Sequence, residues 1–179
     1  MHLETERLRL APWEADDWQA FRSIASDPDV MRYITGGAPW TDEQVREFVL
    51  RQMRWFNERD FCLWKLLKKS SGRLIGFAGL QPLVLGGAEE IEIGWWLARD
   101  CWGKGLATEA AREALRDGFD RAGLERVVAI ARPENAASIR VMQKVGMDFE
   151  REITHKGIRH VLYSVREPVI GSTGLRDNG

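Results

Sequence analysis

Residues 91–122 have the sequence IEIGWWLARDCWGKGLATEAAREALRDGFDRA, which predicts a strand, a glycine-bearing turn and a long helix. Apolar residues alternate along the strand, and Glu92 is its acid. Gly103 and Gly105 allow the backbone of the turn to approach an anion, and the first N–H groups of the helix have no intrahelical partner. A phosphate-bearing ligand is therefore expected here. One face of the helix is expected to be buried, formed by Ala107, Ala110, Ala111, Ala114, Leu115, Gly118, Phe119 and Ala122.

The composition is that of a single globular domain with no bias towards a charged partner. The 179 residues are 44% apolar and 30% charged, with a net charge of −1, so we expect neither a nucleic-acid nor a membrane partner. No apolar run approaches the roughly 18 residues that span a bilayer, and the N-terminus lacks the apolar core of a signal peptide. Cys62 and Cys101 lie far apart and the three histidines are scattered, so no metal site is predicted. A cytoplasmic protein is expected.

The residues before the central stretch predict strands and helices in alternation with turns. A short strand is expected in 5–11, followed by an amphipathic helix that Asp27-Pro28 ends. A loop at 31–40 leads to a second helix, for which Thr41 and Gln44 form a plausible capping box. From residue 61 the pattern changes to two strands of a hairpin.

The residues after the central stretch complete the prediction of a mixed α/β domain. Gly123 ends the long helix and 126–131 reads as a buried strand, which gives a βαβ unit with a parallel pair. A short helix capped by Asn135 and a final hairpin turning near Lys156 follow. We predict one domain over residues 3–168, with a central twisted mixed sheet of about seven strands and flanking helices, and a flexible tail at 169–179.

The spacing of the glycine turn excludes the two common nucleotide-binding loops. A Walker-type loop requires GxxxxGK followed by Ser or Thr, and nothing in the stretch fits it. A dinucleotide fingerprint requires a third glycine, where the sequence has Thr108, and a turn near the start of a βαβ domain. A nucleotide-binding protein is therefore a remote alternative.

Three runs in the chain resemble one family when they are taken together. IEIGWWLARDCWGKGLATEA at 91–110 resembles the acetyl-CoA-binding motif of the GNAT superfamily of N-acetyltransferases. PENAASIRVMQKVGM at 133–147 resembles the segment that follows that motif. TERLRLAPWEADD at 5–17 resembles the start of the subgroup that includes the ribosomal-protein N-terminal acetyltransferases. The resemblance covers about residues 3–168 and implies a GNAT fold, an N-acetyltransferase activity, and acetyl-CoA as cosubstrate without a metal.

The resemblance also implies how coenzyme A would be bound. The N–H groups at the start of the long helix would hold its pyrophosphate, with Lys104 and Arg99 adding positive charge. The pantetheine arm would enter between two splayed parallel strands, and Asn135 would reach it from the other side, unless it only caps its helix. The residues expected at the coenzyme are Trp96, Leu97, Ala98, Trp102, Gly103, Lys104, Gly105, Leu106, Ala107, Thr108, Asn135 and Ser138.

Acetyl transfer to an amine requires a base, donors for the developing oxyanion and, in some enzymes, an acid. Glu92 matches the position of the base in several GNAT enzymes, although it would also suit a solvent-facing strand acid. Met142 occupies the place of the usual tyrosine acid and cannot donate a proton. Ser138 and Tyr163 are the remaining candidate acids. The oxyanion donor would be a backbone N–H of the strand that holds the thioester.

The acceptor pocket is expected to involve Tyr33, Trp40 and the last hairpin, although both aromatic side chains would also suit a core. Arg159 stands where the subgroup commonly has an acid, so the resemblance does not carry amine recognition over. The favoured acceptor is a protein or peptide N-terminal α-amine. The alternatives are a small amine (a polyamine, an amino acid or an aminoglycoside) and a non-catalytic acyl-CoA-binding regulatory module. A monomer and a homodimer are both compatible with the sequence.

Overall fold

An eight-stranded sheet with helices on both faces forms the centre of the structure, a computed structural model that describes residues 1–167. The tail predicted at 169–179 lies outside the described residues. The strands are β1 (Leu3–Glu4), β2 (Leu8–Ala11), β3 (Leu63–Lys68), β4 (Leu74–Leu85), β5 (Ala88–Leu97), β6 (Arg126–Ala131), β7 (Asp148–His155) and β8 (Ile158–Arg166). The helices are α1 (Trp18–Ala25), α2 (Pro28–Met31), α3 (Asp42–Arg59), α4 (Leu106–Asp120) and α5 (Ala136–Lys144).

The strand order is β1-β2-β3-β4-β5-β6-β8-β7, and every neighbouring pair is antiparallel except β5 and β6. The predicted βαβ unit is confirmed, with α4 as the crossover between the two parallel strands. The sequence predicted about seven strands. The additional strand is β1, whose two residues are too few to show an alternating pattern.

Helix α4 packs against β4 and β5 through the face predicted from its spacing. Ala110, Ala111 and Ala114 are at most 1% exposed, Ala107 is half-buried at the margin of that face, and Ala122 lies beyond the end of the helix. A Cβ on Gly118 would lie 2.5 Å from Leu80 Cδ1, which shows how closely the helix approaches β4. This contact holds the C-terminal part of α4 against β4.

An aromatic cluster covers the opposite face of the sheet, where α1 and α3 pack. Phe77 and Trp96 are register partners on β4 and β5, with ring centroids 5.0 Å apart. Phe21 of α1 and Phe48 of α3 stack on each other at 5.2 Å and lie against the same pair. Aromatic pairs at these distances add to the stabilisation from buried area.

Local side-chain hydrogen bonds mark where two of the helices, α3 and α2, begin. Thr41 Oγ1 accepts from the Gln44 N–H at 3.2 Å and Gln44 Oε1 accepts from the Thr41 N–H at 2.8 Å, which confirms the capping box. Asp27 accepts from the Asp29 N–H at 2.9 Å and so begins α2, a short helix within what was predicted as the approach to a loop. Among residues 1–167, no helix has the length and apolar character needed to cross a membrane.

Candidate active site

The parallel strands β5 and β6 part soon after they meet. Within residues 1–167 they share one bridge, which pairs Glu92 with Val128. A cavity of about 840 Å³ occupies the gap beyond this bridge. Its walls include the ends of both strands, the turn before α4, the first part of α5, and the turn between β7 and β8. The splayed pair implied by the family resemblance is therefore present.

The backbone of β5 presents free hydrogen-bonding groups to this gap at alternate residues. The Ala98 N–H donates to Ile75 O at 2.8 Å, towards β4. Because residues of an antiparallel pair alternate in direction, Trp96 also bonds towards β4, whereas Trp95 and Leu97 direct their backbone groups towards β6. Trp102 Nε1 donates to Leu97 O at 2.9 Å, so the Leu97 N–H and the peptide groups of Trp95 remain for a ligand. Ala98, expected at the coenzyme, is not part of the cavity wall.

The turn before α4 is shaped by two glycines in the left-handed region. Gly103 has φ 69° and Gly105 has φ 74°, conformations that other residues adopt only at a cost. The first helical hydrogen bond runs from the Glu109 N–H to Gly105 O, and no side chain of residues 1–167 caps this end. The N–H groups of Leu106 to Thr108 therefore lack intrahelical partners at the cavity wall. This is the arrangement that binds an anion at a helix N-terminus.

The turn is held from outside by the N-terminal segment of the chain. Arg7 Nη1 donates to Lys104 O at 2.9 Å, and Arg7 Nε donates to Glu109 Oε2 at 2.6 Å. Thr5 Oγ1 donates to Glu109 Oε1 at 2.5 Å. Glu109 thus joins the first strands to the first turn of α4. Burial alone would raise the pKa of Glu109, but the hydrogen bonds from Thr5 and Arg7 outweigh it and hold the pKa below its ordinary value.

The two cations predicted to assist the coenzyme have other partners. Lys104 Nζ donates to Asp100 O at 2.7 Å, within its own loop, and Arg99 Nη1 donates to Asp29 Oδ2 at 2.5 Å. Neither side chain lines the cavity. The cations that do line it beside α5 and the end of β6 are Arg132, Arg140 and Lys144.

Helix α5 brings two of the predicted residues to the cavity. Asn135 Oδ1 accepts from the Ser138 N–H at 3.2 Å, so Asn135 is a helix cap and a wall residue at once. Met142 is also in the wall and is 1% exposed. Tyr163 is not part of the cavity wall; it pairs with Ala129 of β6 and is buried in the core. Of the two candidate acids, only Ser138 reaches the cavity.

Glu92 lies in the cavity wall, at the point where β5 and β6 part. Gln81 Nε2 donates to Glu92 Oε2 at 2.8 Å, across the β4–β5 hairpin. Desolvation of the partly buried carboxyl group raises the pKa of Glu92 to about 7, while the hydrogen bond from Gln81 and the charge of Lys156 act in the opposite direction. The carboxyl group can therefore exchange a proton near neutral pH, as a general base requires.

Tyr33 and Trp40 both line the cavity, as expected, and Trp40 also packs on Trp96 with ring centroids 4.8 Å apart. The turn between β7 and β8 adds His155 and His160, whose rings lie 5.9 Å apart. Burial, together with the charges of Lys156 and His160, holds the pKa of His155 below its ordinary value. The sequence predicted the turn near Lys156, but the position of that turn beside the cavity depends on how distant strands pair and could not be predicted from local patterns.

Gln81 was also missed, although the sequence contains a signal for it. Gly86 and Gly87 form the two-residue turn between β4 and β5, with φ 56° and 85°. Counting outward from such a turn pairs Leu85 with Ala88 and, four steps later, Gln81 with Glu92, as in the observed register.

Comparison with known proteins agrees with this geometry. Residues 7–148 match the family model of the acetyltransferase (GNAT) domain. An uncharacterized N-acetyltransferase, YnaD of Bacillus subtilis (strain 168), is 36% identical over 147 residues, which are 82% of each chain. The crystal structure of a GNAT-family acetyltransferase from Bacillus anthracis is 32% identical, covers 93% of this chain and 98% of its own, and has a TM-score of 0.77.

The structural neighbours also include a member of the subgroup that the N-terminal run resembles. The crystal structure of a ribosomal-protein-S5-alanine acetyltransferase from Vibrio fischeri has a TM-score of 0.73 over 94% of this chain and 98% of its own. At 19% identity this likeness concerns the fold alone. The family match, the relatives and the fold agree, and the chain therefore belongs to the GNAT family as an acetyl-CoA-dependent N-acetyltransferase.

Proposed function

We propose that this enzyme transfers the acetyl group of acetyl-CoA directly to the N-terminal α-amine of a protein or peptide, with Glu92 as the base. The observation that carries the proposal is the position of Glu92, which lies beside the unpaired backbone of β5 and has a pKa of about 7. The amine and the thioester would meet there in a ternary complex, so no covalent acetyl-enzyme is required.

The coenzyme site is supported by the chain's own donors. The uncapped N–H groups from Gly103 to Thr108 would bind the pyrophosphate, and Arg132, Arg140 and Lys144 would supply positive charge nearby. The free groups of Trp95 and Leu97 would pair with the pantetheine arm as a neighbouring strand does.

The reaction needs three contributions from the protein. Glu92, directly or through a water, would take the proton that the amine loses as its nitrogen attacks the acetyl carbon. The Leu97 N–H would donate to the carbonyl oxygen as it becomes negative. Ser138 would donate to the sulfur as the carbon–sulfur bond breaks, although a thiolate leaves without much assistance. Acetyl-CoA supplies the activated acetyl group.

An α-amine suits this base better than a lysine side chain does. The pKa of a chain α-amine is about 8 and that of lysine about 10.4. Because the pKa of Glu92 is about 7, proton transfer from an α-amine to Glu92 is far less unfavourable than transfer from a lysine. A small-molecule acceptor is the second candidate, because the spermidine N(1)-acetyltransferase of Escherichia coli (strain K12) is 26% identical over 151 residues.

The test is a thiol-release assay with a panel of peptides, amino acids and polyamines, followed by mass spectrometry of the acceptor. We expect acceptor-dependent release of one thiol for each acetylated α-amine. Binding of acetyl-CoA without release in the presence of any amine would contradict the proposal and favour a non-catalytic binding module. Acetylation of ε-amines or of polyamines alone would contradict the choice of acceptor.

A further inference from the structure

Arg51 of helix α3 lies in the wall of the cavity that contains Glu92. It follows Phe48 by one turn, and both residues lie in the cavity wall with Gln81 and Glu92. The Arg51 guanidinium carbon lies 5.9 Å from the Phe48 ring centroid and 5.5 Å from that of Trp55. Such stacking orients the plane of a guanidinium but uses none of its in-plane N–H donors.

Among residues 1–167, the in-plane N–H donors of Arg51 have neither a hydrogen-bond acceptor nor a salt-bridge partner. Arg51 Nε is buried without a hydrogen-bond acceptor among residues 1–167. Within the same residues, no carboxylate oxygen lies within 4.0 Å of an Arg51 nitrogen, and burial holds the pKa of Arg51 below its ordinary value despite the charge of Glu47 one turn earlier. The exposed Arg59, further along α3, is by contrast paired with Glu89 at 2.8 Å. A buried N–H without an acceptor is costly, so the orphaned Nε of this half-buried guanidinium in a cavity wall points to a ligand.

The other charges of this region favour an anion over a second cation. Lys156 lies in the wall formed by the β7–β8 turn, and Arg32 lies in the wall beside Tyr33. The acids in the described wall are Glu92 and Asp29, and Asp29 is paired with Arg99. A polyamine would place a further ammonium group among these cations with no carboxylate free to receive it.

We propose that Arg51 binds an anionic group carried by the acceptor, so that the substrate is an amine with a carboxylate close by. The planar fork of a guanidinium matches a carboxylate with two parallel hydrogen bonds. The carboxylate has two possible sources, an acidic side chain near a peptide N-terminus or the α-carboxylate of a free amino acid. This inference deepens the proposed acetyl transfer and rests on it.

The test compares acceptors that differ only in that charge. Thiol release would be measured for tripeptides with Glu or Gln at the second position, and for an amino acid and its amide. Wild-type enzyme should prefer the acid of at least one pair by about 10- to 100-fold in kcat/KM, the range for a charged hydrogen-bond pair. The pair with the larger ratio identifies the source. Equal rates or a preference for the amides would overturn the proposal, without any variant being needed.

Arg51→Gln then assigns the preference to this side chain, with Arg54→Gln as the matched control because Arg54 is exposed on the same helix. The preference should fall below about threefold in the first variant and persist in the second. A preference that survives Arg51→Gln would contradict the assignment.

A binding measurement separates this inference from the proposed function. Tryptophan fluorescence would follow the N-acetylated acid and its N-acetylated amide binding to the enzyme loaded with coenzyme A. Tighter binding of the acid that depends on Arg51 supports the inference even if no amine is acetylated, in which case the proposed transfer fails alone. If acids and amides are acetylated at equal rates, the proposed acetyl transfer is supported and the proposed role of Arg51 is refuted.

Discussion

Replacing Glu92 with glutamine tests the base directly, because an amide keeps the shape of the carboxyl group but cannot take up a proton. Removal of a general base typically lowers the rate by about 10² to 10⁴-fold. In the wild-type enzyme kcat/KM should rise with pH through about 7, as Glu92 becomes ionised. In Glu92→Gln the rise through about 7 should be absent, which leaves only a rise near pH 8 as the α-amine of the acceptor loses its proton.

The same variant has a predicted effect on stability, with a definite sign. Each pKa unit corresponds to about 1.36 kcal/mol, so the rise from 4.5 to about 7 corresponds to about 3 kcal/mol. The folded state holds the Glu92 proton more tightly than the unfolded state does. That contribution is therefore complete below pH 4.5 and is lost as the pH rises through about 7. Relative to wild type, Glu92→Gln should gain up to about 3 kcal/mol in free energy of unfolding between pH 4 and pH 8.

Two assays measure these effects, thiol release from pH 5.5 to 9 and urea unfolding at several pH values. Glu89→Gln is the matched control, since Glu89 lies on the same strand, is exposed, and is paired with Arg59. It should leave the pH profile of the rate unchanged. Turnover by Glu92→Gln within threefold of wild type across this range would remove Glu92 from the mechanism. A stability difference independent of pH would show that burial does not raise its pKa.

Three further variants test neighbouring parts of the account. Gln81→Leu removes the hydrogen bond that favours ionised Glu92, so the midpoint of the pH–rate profile should move to higher pH; an unchanged or lower midpoint would be inconsistent with that role. Asn135→Ala should lower the free energy of unfolding by about 1 kcal/mol as a lost helix cap and also weaken acetyl-CoA binding, measured by thermal unfolding with and without the coenzyme; loss of stability alone would leave it only a cap. Gly76→Ala would place a Cβ 2.0 Å from the carbonyl oxygen of Trp96, so urea unfolding should show a loss above about 2 kcal/mol, and a neutral result would contradict the packing of β4 on β5.

Local patterns predicted the elements of the fold well, because they depend on residues close in sequence. The buried face of α4, the capping box at Thr41 and the left-handed glycines of the turn all follow from spacing and backbone preference. The position of Glu92 at the parting of two parallel strands followed from the family resemblance rather than from spacing.

Features that depend on distant partners could not be predicted in this way. Arg99 was expected at the coenzyme, but it pairs with an aspartate that lies 70 residues earlier in the chain. Lys104 was expected there too and turns away for a local reason, because its side chain donates to the carbonyl of Asp100 in its own loop. The surroundings of Tyr163 depend on the pairing of β8 with β6, which lies far away in sequence and places this side chain in the core instead of the cavity wall. Arg51 gave no signal, since a cation on a helix is indistinguishable in sequence from a solvated one.

The most direct test of the central claim is a crystal structure of the enzyme with acetyl-CoA. The account predicts the pyrophosphate against the N–H groups of residues 103–108, the pantetheine arm along the free edge of β5, and the acetyl group directed towards Glu92. A coenzyme bound outside the gap between β5 and β6, or an acetyl group turned away from Glu92, would contradict it.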